Sequence, residues 1–521
     1  MDRESAPNAL HTSASGARQP EATAGQKAPE AGAGAAPARD AALDVLMETI
    51  YREGYANLLL KRRAAGVPDA DRNMLYRLVY GSLERRATLE FALEELWKPG
   101  GLPPVVKELI LLGAYQILYM DQVPDAAACN EAVKQAKRRG HVRLSGAVNG
   151  ILRALSRRKE DVLKAVSDMK QTALDGNRRQ LGGGLAADSP QFGDIYTTQD
   201  GKTPQLDAKI RAVSVFGGAP VLIARKMVEQ YGPEAAIGYF NKPLPNDEIC
   251  LRINTLKISR EDFFSWMDGE GWSYRKGLLD AAVYVKGVGD ISRTRPYLEG
   301  WIAVQSESSQ LIARALGMQN ARKENLNVLD ACAAPGGKTM ALADLMGNRG
   351  RIMALDVHPH RVELIAANAR RLGVANVTAA AGDAGALSEE FHCAMDAVLC
   401  DVPCSGLSVP GKPEAALRIR QEDFLALNKE QNRILNAAAL AVAPGGVLLY
   451  STCTWNRREN ECVAEAFLEA HPEFATGTLE NHVPERLRPY VRKGCTLQLW
   501  PARDGLPAFF MARWRRLDDA E

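Results

Sequence analysis

The feature that most constrains this chain is a regular alternation of short apolar strands and helices in its C-terminal part. Strand-like runs occur near NLNVLDAC, GRIMALDV, NVTAAAGD, MDAVLCDVP and GGVLLYSTCT. Helical stretches near 339–346, 361–372, 422–442 and 459–470 lie between and after them. Such alternation predicts a parallel sheet, because each strand is brought back to the same edge by a helical crossover. Two further runs, CTLQLWP and AFFMARWRR, predict an antiparallel pair at one edge. In a sheet of this kind ligands sit beyond the carboxyl ends of the strands. The residues at those ends therefore decide what the chain can do.

The rest of the chain divides by composition and period. Residues 1–39 are rich in Ala, Gly, Pro and Ser, carry no apolar h-region, and read as a disordered tail. Over 40–160 apolar residues recur every three or four positions, with Pro103-Pro104 as a helix opener. That predicts about five helices in an all-α domain. Segment 161–212, which is Gly-, Asp- and Gln-rich around 171–210, reads as a linker or insertion. Residues 213–305 mix helix with strand-like pieces such as EICLRINTLKIS and AAVYVKG, a small α+β unit. Residues 306–521 form the α/β unit. The expected fold is thus multidomain: all-α, then small α+β, then α/β.

Composition excludes several classes. No run of about 18 uninterrupted apolar residues exists, so no transmembrane helix is expected. The nine cysteines contain no CxxC pair and the seven histidines are scattered, which points away from a disulfide framework or a structural metal. A reducing cytoplasm fits best. The net charge is only +2, so any nucleic-acid surface must be local. One candidate lies between Ala127 and Glu160, where nine Lys/Arg face two acids. A solvated helix face is the plain reading; a phosphate-binding surface is the sharper one.

Four stretches at strand ends carry chemistry. The first is Asp330-Ala-Cys332-Ala333-Ala334-Pro335-Gly336-Gly337-Lys338-Thr339. Its small residues let a ligand approach the backbone. It lacks the phosphate-loop signature, since Cys332 stands where GxxxxGK[ST] needs glycine, and it is not GxGxxG. The second is Asp356, placed to accept hydrogen bonds from ribose hydroxyls, with Asp383 ending the next strand beside the base. Helix N-capping is the competing use of any one such acid. Ribose without a phosphate signature favours a nucleoside lacking pyrophosphate, as in S-adenosyl-L-methionine. The third stretch is Asp401-Val-Pro403-Cys404-Ser-Gly406, and the fourth is Thr452-Cys453. Two cysteines therefore face one crevice. Buried packing is the default for either thiol alone, and the residues themselves do not choose between them as a nucleophile.

DACAAPGGKT, DVPCSG and YSTCTWNRRENECV, in this order and spacing, resemble the RNA cytosine-5 methyltransferases of the Sun (Fmu) family. The helical segment is similar to NusB-type RNA-binding domains, a pairing that resembles the B-type methyltransferases of bacterial small-subunit ribosomal RNA. The resemblance implies a Rossmann-like catalytic domain and methylation of cytosine C5 in ribosomal RNA. It implies Cys453 as the nucleophile that adds to C6, Cys404 as the residue assisting release, and Asp401 as the group holding the base. It implies S-adenosyl-L-methionine contacts from residues 332–338, Asp356, Asp383 and Asp401. No metal and no membrane are expected, and the chain is expected to act as a monomer. Lys338 is a further candidate for lowering the thiolate pKa. Three positions depart from the pattern: Ser306 where aspartate is common, Ser408 where glycine is usual, and Leu506-Pro507 in a usually tighter turn. They leave open a non-catalytic RNA-binding factor, or an enzyme acting on tRNA or DNA.

Overall fold

The computed structural model describes residues 38–97, 101–175, 204–241, 248–318, 325–409 and 411–518. The tail expected at 1–39 lies outside these residues except for its last two, which already belong to the first helix, Ala38–Tyr51.

Seven α-helices make up the N-terminal domain among the described residues, rather than the five expected. The two extra ones come from breaks inside long apolar patterns. One break separates Ala38–Tyr51 from Ala56–Ala64, with Glu53 in the left-handed region at φ 56°. The other falls at Arg85, between Asp69–Glu84 and Arg86–Leu93. There the freed N–H of Ala87 donates to Gly218 O at 3.1 Å. Gly218 sits at φ 71°, and a Cβ on it would lie 2.2 Å from Glu84 O, so only glycine permits this approach. Helix Pro104–Tyr119 is the domain's centre. It is apolar nearly all round, and Leu109, Ile110, Leu112 and Ile117 are at most 1% exposed. Truncating one of them to alanine costs about 2–5 kcal/mol.

The segment expected as a linker is structured at both ends. Helix Lys159–Asp175 packs Met169 and Ala173 against Ile210 and Val213 of helix Pro204–Gly217. The apolar spacing Val162, Ala165, Met169, Ala173 is helical, but it runs into a Gly-rich stretch whose composition hides it. Residues 176–203 lie outside the described residues.

Two sheets follow. A small antiparallel sheet, order β2-β3-β1-β4, comprises β1 (Glu248–Ile253), β2 (Ser273–Lys276), β3 (Ala282–Lys286) and β4 (Ile302–Val304). Helix Arg260–Gly269 covers it with Phe263 and Met267. The main sheet comprises β5 (Asn327–Asp330), β6 (Arg351–Asp356), β7 (Val377–Ala381), β8 (Met395–Asp401), β9 (Val442–Thr452), β10 (Phe474–Thr476), β11 (Thr496–Gln498) and β12 (Phe510–Arg516). Its order is β10-β12-β9-β8-β5-β6-β7, with β11 on β12. Strands β5 to β9 pair in parallel, and β12 is antiparallel to β9. The core follows the period of two. On β8, Ala397 and Leu399 join the cluster built with Leu311, Ile312 and Leu342. Val398 and Cys400 join the opposite one, with Ile434, Leu435 and Phe467. The chain builds β5, β6 and β7 outward on one side, then returns to lay β8 and β9 on the other. The reversal opens a crevice beyond the ends of β5 and β8.

Candidate active site

Asp401 ends β8 and stands opposite Ser451 on β9. Cys404 lies three residues beyond Asp401, and Cys453 two beyond Ser451. Adjacent parallel strands thus deliver both thiols to one place, with Sγ atoms 3.2 Å apart. Both cysteines are free and partly accessible. The thiol of Cys404 donates toward Cys453, and this holds the Cys453 pKa below the usual thiol value. The nearby charges of Lys338 and Lys412 act in the same direction, while burial and Asp401 oppose it. The Cys404 thiol is pushed well up for the complementary reasons: it keeps its proton in the hydrogen bond it donates to Cys453, and it is desolvated. A thiolate flanked by cations is the reactive form of cysteine.

Lys338 and Asp401 form a second pair. Lys338 Nζ donates to Asp401 Oδ2 at 2.6 Å and lies 5.1 Å from the Phe509 ring centre. Burial would lower the lysine's pKa, but Asp401 outweighs it and the net shift is upward. Ser451 Oγ donates to the other oxygen of Asp401 at 2.7 Å. The carboxylate is fixed from both sides.

The loops bearing the thiols are braced by Glu459, which is fully buried. It accepts from Ser405 N at 2.8 Å, Gln431 Nε2 at 3.0 Å and Asn456 Nδ2 at 2.8 Å. Ser405 Oγ also donates to Thr454 Oγ1 at 2.9 Å. Glu459 falls inside the quoted YSTCTWNRRENECV, yet sequence alone offered no sign that it ties the two cysteine loops together.

Beside the thiols lies a cleft of about 260 Å³. Of the residues expected from sequence, Cys332, Ala333, Ala334, Pro335, Gly337, Lys338 and Asp401 line it. Gly336 shapes the turn at φ 97°, packed so that a Cβ would lie 3.3 Å from the Ile365 backbone. Four polar lining residues were not foreseen as contacts: Gln305, Ser306, Ser309 and Asp330. Asp330 is buried; Thr339 Oγ1 donates to its Oδ2 at 2.7 Å. Its Oδ1 is buried with no hydrogen-bond partner of normal geometry among the described residues. Burial pushes the Asp330 carboxyl up to about 7, against the Thr339 hydrogen bond and with help from Asp401. Cys332 is likewise pushed well up by burial, which leaves it a neutral wall.

The remaining two expected contacts stand apart from this cleft. Asp356 ends β6; its Oδ1 accepts from His358 N at 2.9 Å, and Arg361 stands 3.5 Å from Oδ2. Asp383, just past β7, is held by Arg433 through two hydrogen bonds of 3.0 and 2.8 Å. It also accepts from Gly385 N at 2.9 Å. Arg433 keeps the Asp383 carboxyl below its usual range.

The departures have local explanations. Ser306 caps helix Glu307–Ala315, its Oγ accepting from Ser309 N at 3.3 Å; serine and aspartate are near-equal caps. Ser408 is buried. Pro507 O accepts from Ser308 Oγ at 2.9 Å, so the Leu-Pro turn is tied to the same helix.

The groups present suit a nucleoside that carries a sulfonium and an amino acid tail. Small residues allow backbone approach, Asp356 stands at a strand end for a ribose, and the unpartnered oxygen of Asp330 suits an ammonium. Among the described residues no helix is long and apolar enough to cross a membrane.

Residues 317–515 match the family described as 16S rRNA methyltransferase RsmB/F, and residues 36–157 match the NusB family. The "Probable ribosomal RNA small subunit methyltransferase B" of Bacillus subtilis is 35% identical over 486 residues, covering 92% of this chain and 98% of that protein. The Synechocystis protein of the same name is 31% identical over 92% of this chain and 99% of its own length. Among solved structures, the crystal structure of PH0851 has a TM-score of 0.69 at 22% identity, over 92% of this chain and 99% of the other, a likeness of fold. The chain belongs to the RsmB/F family of 16S ribosomal RNA methyltransferases, S-adenosyl-L-methionine-dependent enzymes, here with a NusB domain ahead of a Rossmann-like catalytic domain.

Proposed function

We propose that this methyltransferase acts on C5 of a cytosine in small-subunit ribosomal RNA through a covalent bond between Cys453 and C6. The observation that carries the reading is the pair of thiols 3.2 Å apart at the tips of β8 and β9, beside Lys338 and Asp401. Cytosine C5 is a weak nucleophile. Addition of the Cys453 thiolate to C6 breaks the C5–C6 double bond and places its electron pair on C5. The cofactor supplies an electrophilic methyl group when bound. Lys338, Lys412 and the Cys404 thiol favour the attacking thiolate. Asp401, fixed by Lys338 and Ser451, holds the polar N3/N4 edge of the base. Release requires a base to take the C5 proton while its electron pair re-forms the C5–C6 double bond and the S–C6 bond breaks to return the Cys453 thiolate, and Cys404 assists that elimination. The base must leave its stack to enter the crevice.

Residues 332–338 with Asp356, Asp383 and Asp401 would hold the cofactor. The enzyme acts as a monomer in the cytoplasm, with exposed bases of the NusB domain meeting RNA phosphates. Tritiated methyl transfer to ribosomal RNA tests the reading. Wild type transfers label to cytosine C5, whereas full activity in Cys453→Ala, or label on another base, overturns it.

A further inference from the structure

The loop that carries Cys404 is also held by the helical domain. Ten residues after Cys404 the chain forms a short helix, Glu414–Arg418. Glu414 is buried, and its Oε1 accepts from Ala56 N at 3.2 Å. Ala56 is the first residue of helix Ala56–Ala64, whose N-cap Tyr55 supplies no side-chain cap. One turn later, Arg418 donates to Thr49 O at 2.7 Å and to Gly54 O. Thr49 lies in the last turn of helix Ala38–Tyr51. A carboxylate thus meets the positive end of one helix, and a guanidinium meets the negative end of the one before it. Leu417, between them, packs into the core of the helical domain. Tyr80 of that domain stands beside Gly411.

The other end of the segment reaches the chemistry. Ser405 is pinned to Glu459 and Thr454, and Lys412 is one of the charges acting on Cys453. Lys412 is itself exposed. Its placement follows from the anchors on either side of it.

We propose that Glu414 and Arg418 are positioning residues through which the helical domain holds Cys404 against Cys453 and fixes the place of Lys412 in the segment between. The inference rests on Cys453 being the nucleophile. It makes the helical domain part of the catalytic scaffold as well as a surface for RNA. Glu414 and Arg418 touch no reacting atom and act only through the segment they fasten.

Three variants test it: Arg418→Gln, Glu414→Gln and the conservative Arg418→Lys, each checked for folding by its melting transition. With ribosomal RNA as substrate, the two Gln variants should lose about tenfold in kcat while KM for RNA stays within about twofold. Arg418→Lys should recover most of the loss. Displacement of Cys404 should also leave the Gln variants with a denaturation-resistant RNA–protein adduct. Unchanged kcat, or a rise in KM alone, overturns the proposal. So does lost kcat without the adduct while a Cys404→Ala control accumulates it. A measurement without RNA separates this from the reading it rests on. Alkylation of Cys453 is mapped at neutral and alkaline pH, where the rate ratio reports thiol ionisation. The groups facing that thiol are Cys404, Asp401, Lys338 and Lys412. Loss of Lys412 and Cys404 from their places should raise the alkaline-to-neutral ratio about threefold in the Gln variants. The same ratio in wild type and variants overturns the positioning role. No adduct even in Cys404→Ala, with the ratio shifted as expected, faults the covalent reading instead.

Discussion

The two lips of the crevice are built differently. On the β8–β9 lip every functional side chain is held by a partner distant in sequence: Cys404 by Cys453, Asp401 by Lys338 and Ser451, and both cysteine loops by Glu459. On the β6–β7 lip Asp356 leans on near neighbours, His358 N and Arg361. Asp383 is held by Gly385 N and by the exposed Arg433, 50 residues away, so here the partners are surface arginines rather than groups inside the crevice. The first lip is pre-organised, as the bond-making role proposed for it requires. The second pairs the buried Asp356 and the exposed Asp383 with arginines at the surface, which suits the exchangeable ligand proposed for it. Groups of the β8–β9 lip should therefore fail in kcat and those of the β6–β7 lip in KM.

The largest effect should fall on the braced lip. Cys453→Ala should lower kcat by about 10³-fold or more with little change in KM for the cofactor, measured by steady-state methyl transfer. Retained kcat would dissolve the contrast. Next comes the floor between the lips. Asp330 keeps its proton to about pH 7 in the folded chain, well above its unfolded value. The folded state therefore binds more protons than the unfolded state between about pH 4 and 7, and stability falls as pH rises through that window. The shift corresponds to at most ~4 kcal/mol. Denaturant midpoints for wild type and Asp330→Asn, compared at the two ends of the window, should show the slope only in wild type. An equal slope in both would assign the titration elsewhere.

The β6–β7 lip should respond more mildly. Asp356→Asn should raise KM for S-adenosyl-L-methionine about tenfold and leave kcat near wild type, the loss expected for hydrogen bonds to one charged acceptor. A selective fall in kcat would place Asp356 with the braced groups. The smallest effect concerns the helical domain. Of its nine clustered bases, Lys134, Arg138, Arg139, Arg158 and Lys159 are engaged by acids, Arg138 and Arg139 with Asp40 and Asp44 of the first helix. Lys137, Arg143, Arg153 and Arg157 are exposed and make no ion pair among the described residues. Neutralising any of these four should flatten the salt dependence of RNA binding by about one unit of log–log slope, and neutralising Arg138 by less. Equal slopes would remove the distinction.

The same difference explains what could be read from sequence. Strand ends and their loops are local patterns, so the parallel sheet, the two cysteine motifs and the Gly-rich turn were all legible. Partnerships across long separations were not. Asp330 looked like part of a motif string, and only the cleft shows its unpartnered oxygen. Gln305 reaches the site from the end of a different sheet. The local charge excess around 127–160 was visible, but Asp40 and Asp44, which cancel part of it, lie about a hundred residues earlier. The helices at 159–175 and 204–217 were hidden by the composition of the stretch between them.

The central claim is that carbon and sulphur join at one defined atom pair. Cys404→Ala is incubated with ribosomal RNA and S-adenosyl-L-methionine, denatured, and digested, and the nucleotide-linked peptide is sequenced by mass spectrometry. The account predicts a single crosslink from Cys453 Sγ to C6 of a cytosine already methylated at C5. A crosslink through another residue, or methylated RNA with no crosslink at all, contradicts it.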